Sequence, residues 1–247
     1  PGSVGKTTLG ASAPDVLIVC IEDGAAEFSS NKVVFDEQTG RVAPQTYGEL
    51  VEVIEGLKSA DLTGIRTLFL DGIHQLDVLI QKHLLRKNPK WESIQTAGFG
   101  TGEAAVLEIW REFIALLDDV CLRKNLRLIL SGHAQITKFK NPEGAEYNRY
   151  DLAVTIHPKG DVAGFLYGWA DVFGFCRFEQ LTDTVGKGVS QRTIAVAQQG
   201  KRQLHLEWTN AYQAKCRIEG APTVMDMTGP DGFPRPWSEL WGPLEDR

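Results

Sequence analysis

Long apolar runs are missing from this chain. No stretch of eighteen apolar residues occurs, so no membrane-spanning helix is expected. Cysteine is sparse: Cys20, Cys121, Cys176 and Cys216 are scattered with no C-x-x-C spacing, which disfavours a zinc site and suits buried, reduced thiols. An excess of positive charge is also absent. The 247 residues carry a net charge of −6, which excludes a wholly basic nucleic-acid binder but not a local basic groove. No signal peptide, internal repeat or low-complexity segment is visible, and a cytoplasmic location without a membrane partner is expected. What remains is the composition of an ordinary globule, long enough for one large domain or one domain with a small appendage.

The chain opens inside a phosphate-binding loop. Pro1-Gly2-Ser3-Val4-Gly5-Lys6-Thr7-Thr8 reads as a Walker A motif whose first glycine would lie just before Pro1. Small residues at Gly2, Ser3, Val4 and Gly5 let successive backbone N–H groups point at phosphate oxygens. Lys6 then reaches the β- and γ-phosphates, Thr7 offers a hydroxyl to Mg²⁺, and Thr8 continues into a first helix. The cofactors expected are therefore ATP and Mg²⁺. Such a loop hangs from a buried strand, so the first strand of the fold is expected to be missing from the chain, and that strand would be a central one.

Apolar runs at Val16 to Cys20, Thr67 to Leu70 and Leu126 to Leu130 predict buried parallel strands. Helical periodicity over Thr46 to Lys58, Ile73 to Leu85 and Glu103 to Leu122 alternates with them. Strand–helix alternation predicts an α/β domain with a mostly parallel sheet flanked by helices. Further on, Gln135 to Asp151 is polar and carries the turn signal Asn141-Pro142-Glu143-Gly144. A short helix is predicted over Ala163 to Trp169 and a strand over Ala170 to Phe178. Gln191 to Gln198 and Gln203 to Trp208 flank Gly200 and predict a C-terminal β-hairpin. The tail from Gly220 reads as irregular, with Trp237 to Trp241 docking as a short turn. The expected division is a core over residues 1–222 and a tail over 223–247.

Three residues at predicted strand ends complete a nucleotide constellation. Asp71 ends the second run as a Walker B carboxylate, suited to a Mg²⁺-bound water; helix N-capping is the alternative. Glu22 follows the first run and suits a general base for the attacking water, with Asp23 as the nearest competitor and local capping as the bland reading. His133 follows the third run and suits a sensor of the γ-phosphate, although a lone histidine is often only solvated. Near the C-terminus, Lys215 and Arg217 stand two residues apart, as a phosphate clamp or as two solvated charges on an edge strand.

In their order these motifs resemble the phage and prophage RecA-like P-loop ATPases that carry an AAA-domain label, the group of the Sak-type single-strand annealing recombinases. The resemblance rests on the Walker A loop, Ile21-Glu22-Asp23-Gly24, Leu68-Phe69-Leu70-Asp71, Leu128 to His133 and Ala214-Lys215-Cys216-Arg217. Two further stretches, Gly98 to Glu103 and Gly168 to Val172, look like the same group. The likeness implies a RecA-like fold, with Glu22 as base on the strand before Asp71 and His133 as sensor. It also implies that Lys215 and Arg217 serve the neighbouring subunit's γ-phosphate, in a ring or filament with ATP at the interfaces.

The resemblance further implies single-stranded DNA at two loops, with single-strand-binding protein as a further partner. One loop carries Lys87, Lys90, Trp91 and Phe99; the other carries Lys138, Phe139, Lys140, Tyr147 and Arg149. The expected function is an Mg²⁺-dependent, DNA-stimulated ATPase in phage recombination, annealing or replication, acting in the bacterial host cytoplasm. The alternatives are a replication-associated loader gripping a protein partner, and a small-molecule kinase. The kinase is disfavoured because no arginine-rich lid follows the third strand.

Overall fold

The computed structural model describes residues 4–22, 31–179, 181–185, 192–196, 201–227, 237 and 240. In chain order the elements are α1 (Lys6–Ala11), β1 (Val16–Cys20), β2 (Asn31–Lys32), α2 (Tyr47–Gly56), β3 (Thr67–Asp71), α3 (Ile73–Lys87), α4 (Thr101–Lys124), β4 (Arg127–Ser131), β5 (Ala134–Phe139), β6 (Tyr147–Leu152) and α5 (Val162–Trp169). There follow β7 (Val172–Phe173), β8 (Phe175–Phe178), β9 (Leu181–Val185), β10 (Arg192–Val196), β11 (Arg202–His205), β12 (Lys215–Cys216) and β13 (Val224–Asp226). They form two compact units: Gly10–Ala170, and Pro1–Leu9 together with Asp171–Arg247.

The larger unit is built on a four-stranded sheet in the order β2-β1-β3-β4, parallel throughout. β3 is buried along its whole length, as its unbroken apolar run requires. Alternate residues serve opposite faces. Val19, Ile21, Leu68 and Leu70 join the core made with α2, α3 and α4, which includes Leu50, Leu76, Trp110 and Phe113. Phe69 faces the other way, where Gly10 of α1 lies so close that a Cβ there would sit 2.3 Å from the ring.

Local chemistry explains the helix boundaries. Thr46 caps α2 by accepting the Glu49 N–H, and Glu49 reaches back to accept the Gln45 N–H at 2.9 Å. The Gln45 N–H, with Arg41 beside it, holds the Glu49 carboxyl below the usual carboxylate range. α4 ends at Asn125, whose φ of 52° suits a residue that tolerates the left-handed region. Buried Asp77 ties three segments together. Its Oδ1 accepts from Trp110 Nε1 at 2.7 Å, and its Oδ2 accepts from Thr155 Oγ1 and Gln81 Nε2, both at 2.8 Å. A buried carboxylate is tolerable only with this degree of satisfaction.

After β4 the chain forms an antiparallel hairpin, β5 with β6, where the sequence suggested a polar loop. The other unit is made of short antiparallel pairings: β8-β11-β13, β9-β10 and β7-β12. Its core gathers Leu9, Leu204, Leu206, Met225, Met227 and Leu240, and Trp237 Nε1 donates to the Leu9 carbonyl at 3.0 Å. Three expectations change here. The predicted hairpin partners both form strands, but β10 pairs with β9, and β11 pairs with β8 and β13. The predicted strand over Ala170 to Phe178 is broken at Gly174, where a Cβ would meet Leu204 Cδ1 at 2.4 Å. The tail expected to be irregular contributes β13, because Met225 and Met227 bury against Leu204 and Leu206.

Candidate nucleotide site

Register sets the site in the larger unit. Cys20 pairs with Asp71, and Asp71 with Ser131, so β1, β3 and β4 end level with one another. The residues just past those ends, Glu22, Gly72 and His133, therefore collect at the carboxyl edge of a parallel sheet, where ligands of open α/β sheets bind.

Asp71 is 1% exposed. Its Oδ1 accepts a hydrogen bond from Ser131 Oγ, while its Oδ2 is buried with no hydrogen-bond partner among the described residues. The capping alternative is not realised: α3 is preceded by Gly72 with φ 97°, and no side chain caps it. One carboxylate oxygen is thus anchored and the other left over, which fits a group that holds Mg²⁺ or one of its waters.

Glu22 lies beside two histidines. Its Oε2 is 3.2 Å from His74 Nε2, and its Oε1 is 3.8 Å from His133 Nε2. The two imidazoles stack with centroids 4.1 Å apart and planes at 22°. Gly72 makes room for this arrangement, since a Cβ there would stand 2.9 Å from Glu22 Cγ. Asp23, the rival base, lies outside the described residues.

The other unit carries the loop residues. Pro1, Gly2 and Ser3 lie outside the described residues. Val4 is buried, and Gly5 has φ 88°, a conformation that glycine adopts without strain. Lys6 and Thr7 are half-buried and Thr8 is exposed, all in the first turn of α1. Burial pushes the Cys176 thiol up to about 11, with the nearby Lys6 ammonium pulling the other way. Arg202 of β11 also reaches this loop, its Nη1 3.2 Å from where a Gly5 Cβ would be.

Lys215 lies on β12, and Arg217 follows directly past its end at Cys216. Burial, then the Arg217 charge, holds the Lys215 ammonium below its ordinary value. Arg217 is engaged within its own unit: its N–H donates to the Asp171 carbonyl and its Nη1 meets Asp171 Oδ1, both at 3.0 Å.

The residues expected at DNA divide. Lys87 and Lys90 are exposed at the end of α3 and just past it, while Trp91 packs against the core. Phe99 is 94% exposed with φ 52°, held between Gly98 and Gly100, both also at positive φ. His157 and Lys159 lie against Gly100. On the hairpin the expected interleaving separates onto two faces. Lys138 shares the exposed face with Ile136 and Tyr150 and pairs with Glu146, and Lys140 is exposed just beyond β5. Arg149 sits on the other face, 3.0 Å from Asp151 and with its guanidinium 4.3 Å from the Phe139 ring centroid.

Sequence reasoning missed His74, Arg202 and Lys159, and gave Ser131 no role. His74 stands three residues after Asp71, a spacing whose meaning depends on the turn that Gly72 sets before α3. Arg202 and Lys159 become visible only once the chain is folded, because their neighbours are remote in sequence.

Comparison with known families fits this geometry. The profile of the AAA domain matches residues 1–218, most of the chain. The chain belongs to this family, and its domain is of the P-loop ATPase type, which binds nucleotide. Neither the curated proteins nor the solved structures yielded a match. No helix among the described residues is long and apolar enough to cross a membrane.

Proposed function

We propose that the chain is a RecA-like, Mg²⁺-dependent ATPase that acts on single-stranded DNA and assembles head to tail. The observation that carries the ATPase reading is the pair of carboxylates at one sheet edge. Asp71 keeps a buried oxygen for the cation, and Glu22 stands at the end of the neighbouring strand. Gly2 to Thr8 would hold the phosphates, with Thr7 and Asp71 as the Mg²⁺ residues; the ion neutralises charge on the phosphates when bound. Glu22 takes a proton from water as its oxygen bonds to the γ-phosphorus and the bridging P–O bond breaks, its electron pair leaving with ADP. His133, next to Glu22 and directly before β5, would relay the state of the γ-phosphate to the hairpin. Lys215 and Arg217 would serve a neighbouring subunit, Arg217 exchanging Asp171 for phosphate.

The DNA reading is supported by Phe99, an exposed aromatic preceding Gly100, against which Lys159 lies; Lys87 and Lys90 are exposed earlier on the same stretch of chain. A π-face next to cations is what a single strand needs. On the hairpin, Lys138, Phe139, Lys140 and Arg149 would supply a second contact. Phage recombination, annealing or replication is the process this reading favours. A protein partner is the second reading, favoured by Ile136, 64% exposed beside Tyr150 on one face of the hairpin.

The test is phosphate release from ATP with and without single-stranded DNA, for the wild type and Lys6→Ala. The expected outcome is stimulation by DNA, and a loss of about 10²-fold or more in the variant. Unchanged hydrolysis in Lys6→Ala would sink the ATPase reading. Absence of stimulation would favour the protein partner.

A further inference from the structure

The Glu22–His74–His133 trio admits two kinds of chemistry. Two imidazoles and a carboxylate with mutually close ligand atoms suit a transition metal. They also suit a hydrogen-bonded clamp. The environment of His74 decides between them. Its Nδ1 is buried and has no hydrogen-bond partner among the described residues. A metal-bound His74 would use its Nε2 lone pair, which puts the proton on Nδ1, where no acceptor waits among the described residues. Metal-ligating histidines almost always donate that second N–H. In the clamp the proton stays on Nε2, which lies 3.2 Å from Glu22 Oε2, and Nδ1 keeps only a lone pair, the cheaper atom to bury unpaired.

We propose that His74 is a positioning residue for Glu22. It fixes Oε2 by a hydrogen bond from Nε2, so that Oε1 is aimed at the water. The stacked His133 ring braces the imidazole, and Gly72 admits the carboxylate stem. Both partners come from the larger unit and depend on the level strand ends. The inference rests on the reading of Glu22 as the general base.

The test uses two amide substitutions in the full chain. In His74→Gln the amide nitrogen lies near the position of Nε2; in His74→Asn it lies near that of Nδ1 and falls short of Glu22. The inference expects His74→Asn to lose about tenfold or more in kcat with KM for ATP unchanged. His74→Gln is expected to stay within about threefold of the wild type, and His74→Asn is expected to cost little further in a Glu22→Gln background.

Equal kcat in His74→Asn and His74→Gln overturns the inference, whether both fall or neither does. If Glu22→Gln is impaired in the same assay, the reading of Glu22 survives that failure. If Glu22→Gln turns over like the wild type, both fall. Stoichiometric Co²⁺ binding, seen as visible absorption bands lost in His74→Asn, also overturns it, because the trio would then be a metal centre.

Discussion

At the scale of single residues, the chemistry here is governed by which polar atoms are left over. Asp71 has one oxygen satisfied by Ser131 and one with no partner among the described residues, whereas Asp77 has both satisfied by four hydrogen bonds. The first has an oxygen left to offer; the second ties α3, α4 and the Thr155 segment together. His205 is a third case. Its ring lies between Tyr212 Oη, 2.8 Å from Nδ1, and Gln203 Oε1, 3.2 Å from Nε2. Burial first, then the Arg177 charge, holds the imidazole below its ordinary value. A base depressed in the folded state resists protonation there, so its contribution is present above the unfolded value and fades as pH falls through about 6.5 and below. The expected result is a melting temperature that drops between about pH 7.5 and about pH 5.5, with a smaller drop in His205→Gln. An identical drop in the variant would remove His205 from the account.

At the scale of elements, α1 and β3 meet through a glycine. Phe69 fills the space a Gly10 side chain would need, so Gly10→Val forces either the helix or the ring to move. The expected cost is about 1–3 kcal/mol, read by denaturant titration with m unchanged. A wild-type midpoint would contradict this packing. The elements that sequence pattern revealed best are those with one dominant period: β1, β3 and β4 as apolar runs, and α2, α3 and α4 as helical stripes. The predicted start of α2 at Thr46 coincides with the residue that caps it. Pairing was less legible. β10 and β11 were each recognisable as strands, but which strand each would join depends on apolar partners such as Met225, remote in sequence and hidden in a stretch rich in Pro and Gly. The β5–β6 hairpin was obscured because its inward face is polar. Thr137 and Arg149 both reach Asp151, where an apolar stripe would have marked the strands.

At the scale of the whole molecule, the site residues divide between two compact units. Glu22, Asp71 and His133 each stood out in the sequence from a strand-end position, and the structure sets Glu22 beside His133, a contact that position alone did not specify. That His74 joins them was not legible, because i+3 from Asp71 on a new helix has meaning only after Gly72 sets the turn. Lys6, Thr7, Lys215 and Arg217 lie in the other unit. The family assignment spans both units and makes the molecule an AAA-domain protein of the P-loop ATPase type. The central claim is that Glu22 is the group that activates water. It is tested most directly by measuring ATP binding and single-turnover hydrolysis in Glu22→Gln beside the wild type. The account predicts unchanged ATP affinity and hydrolysis slowed by about 10²-fold or more. Hydrolysis at the wild-type rate would contradict it.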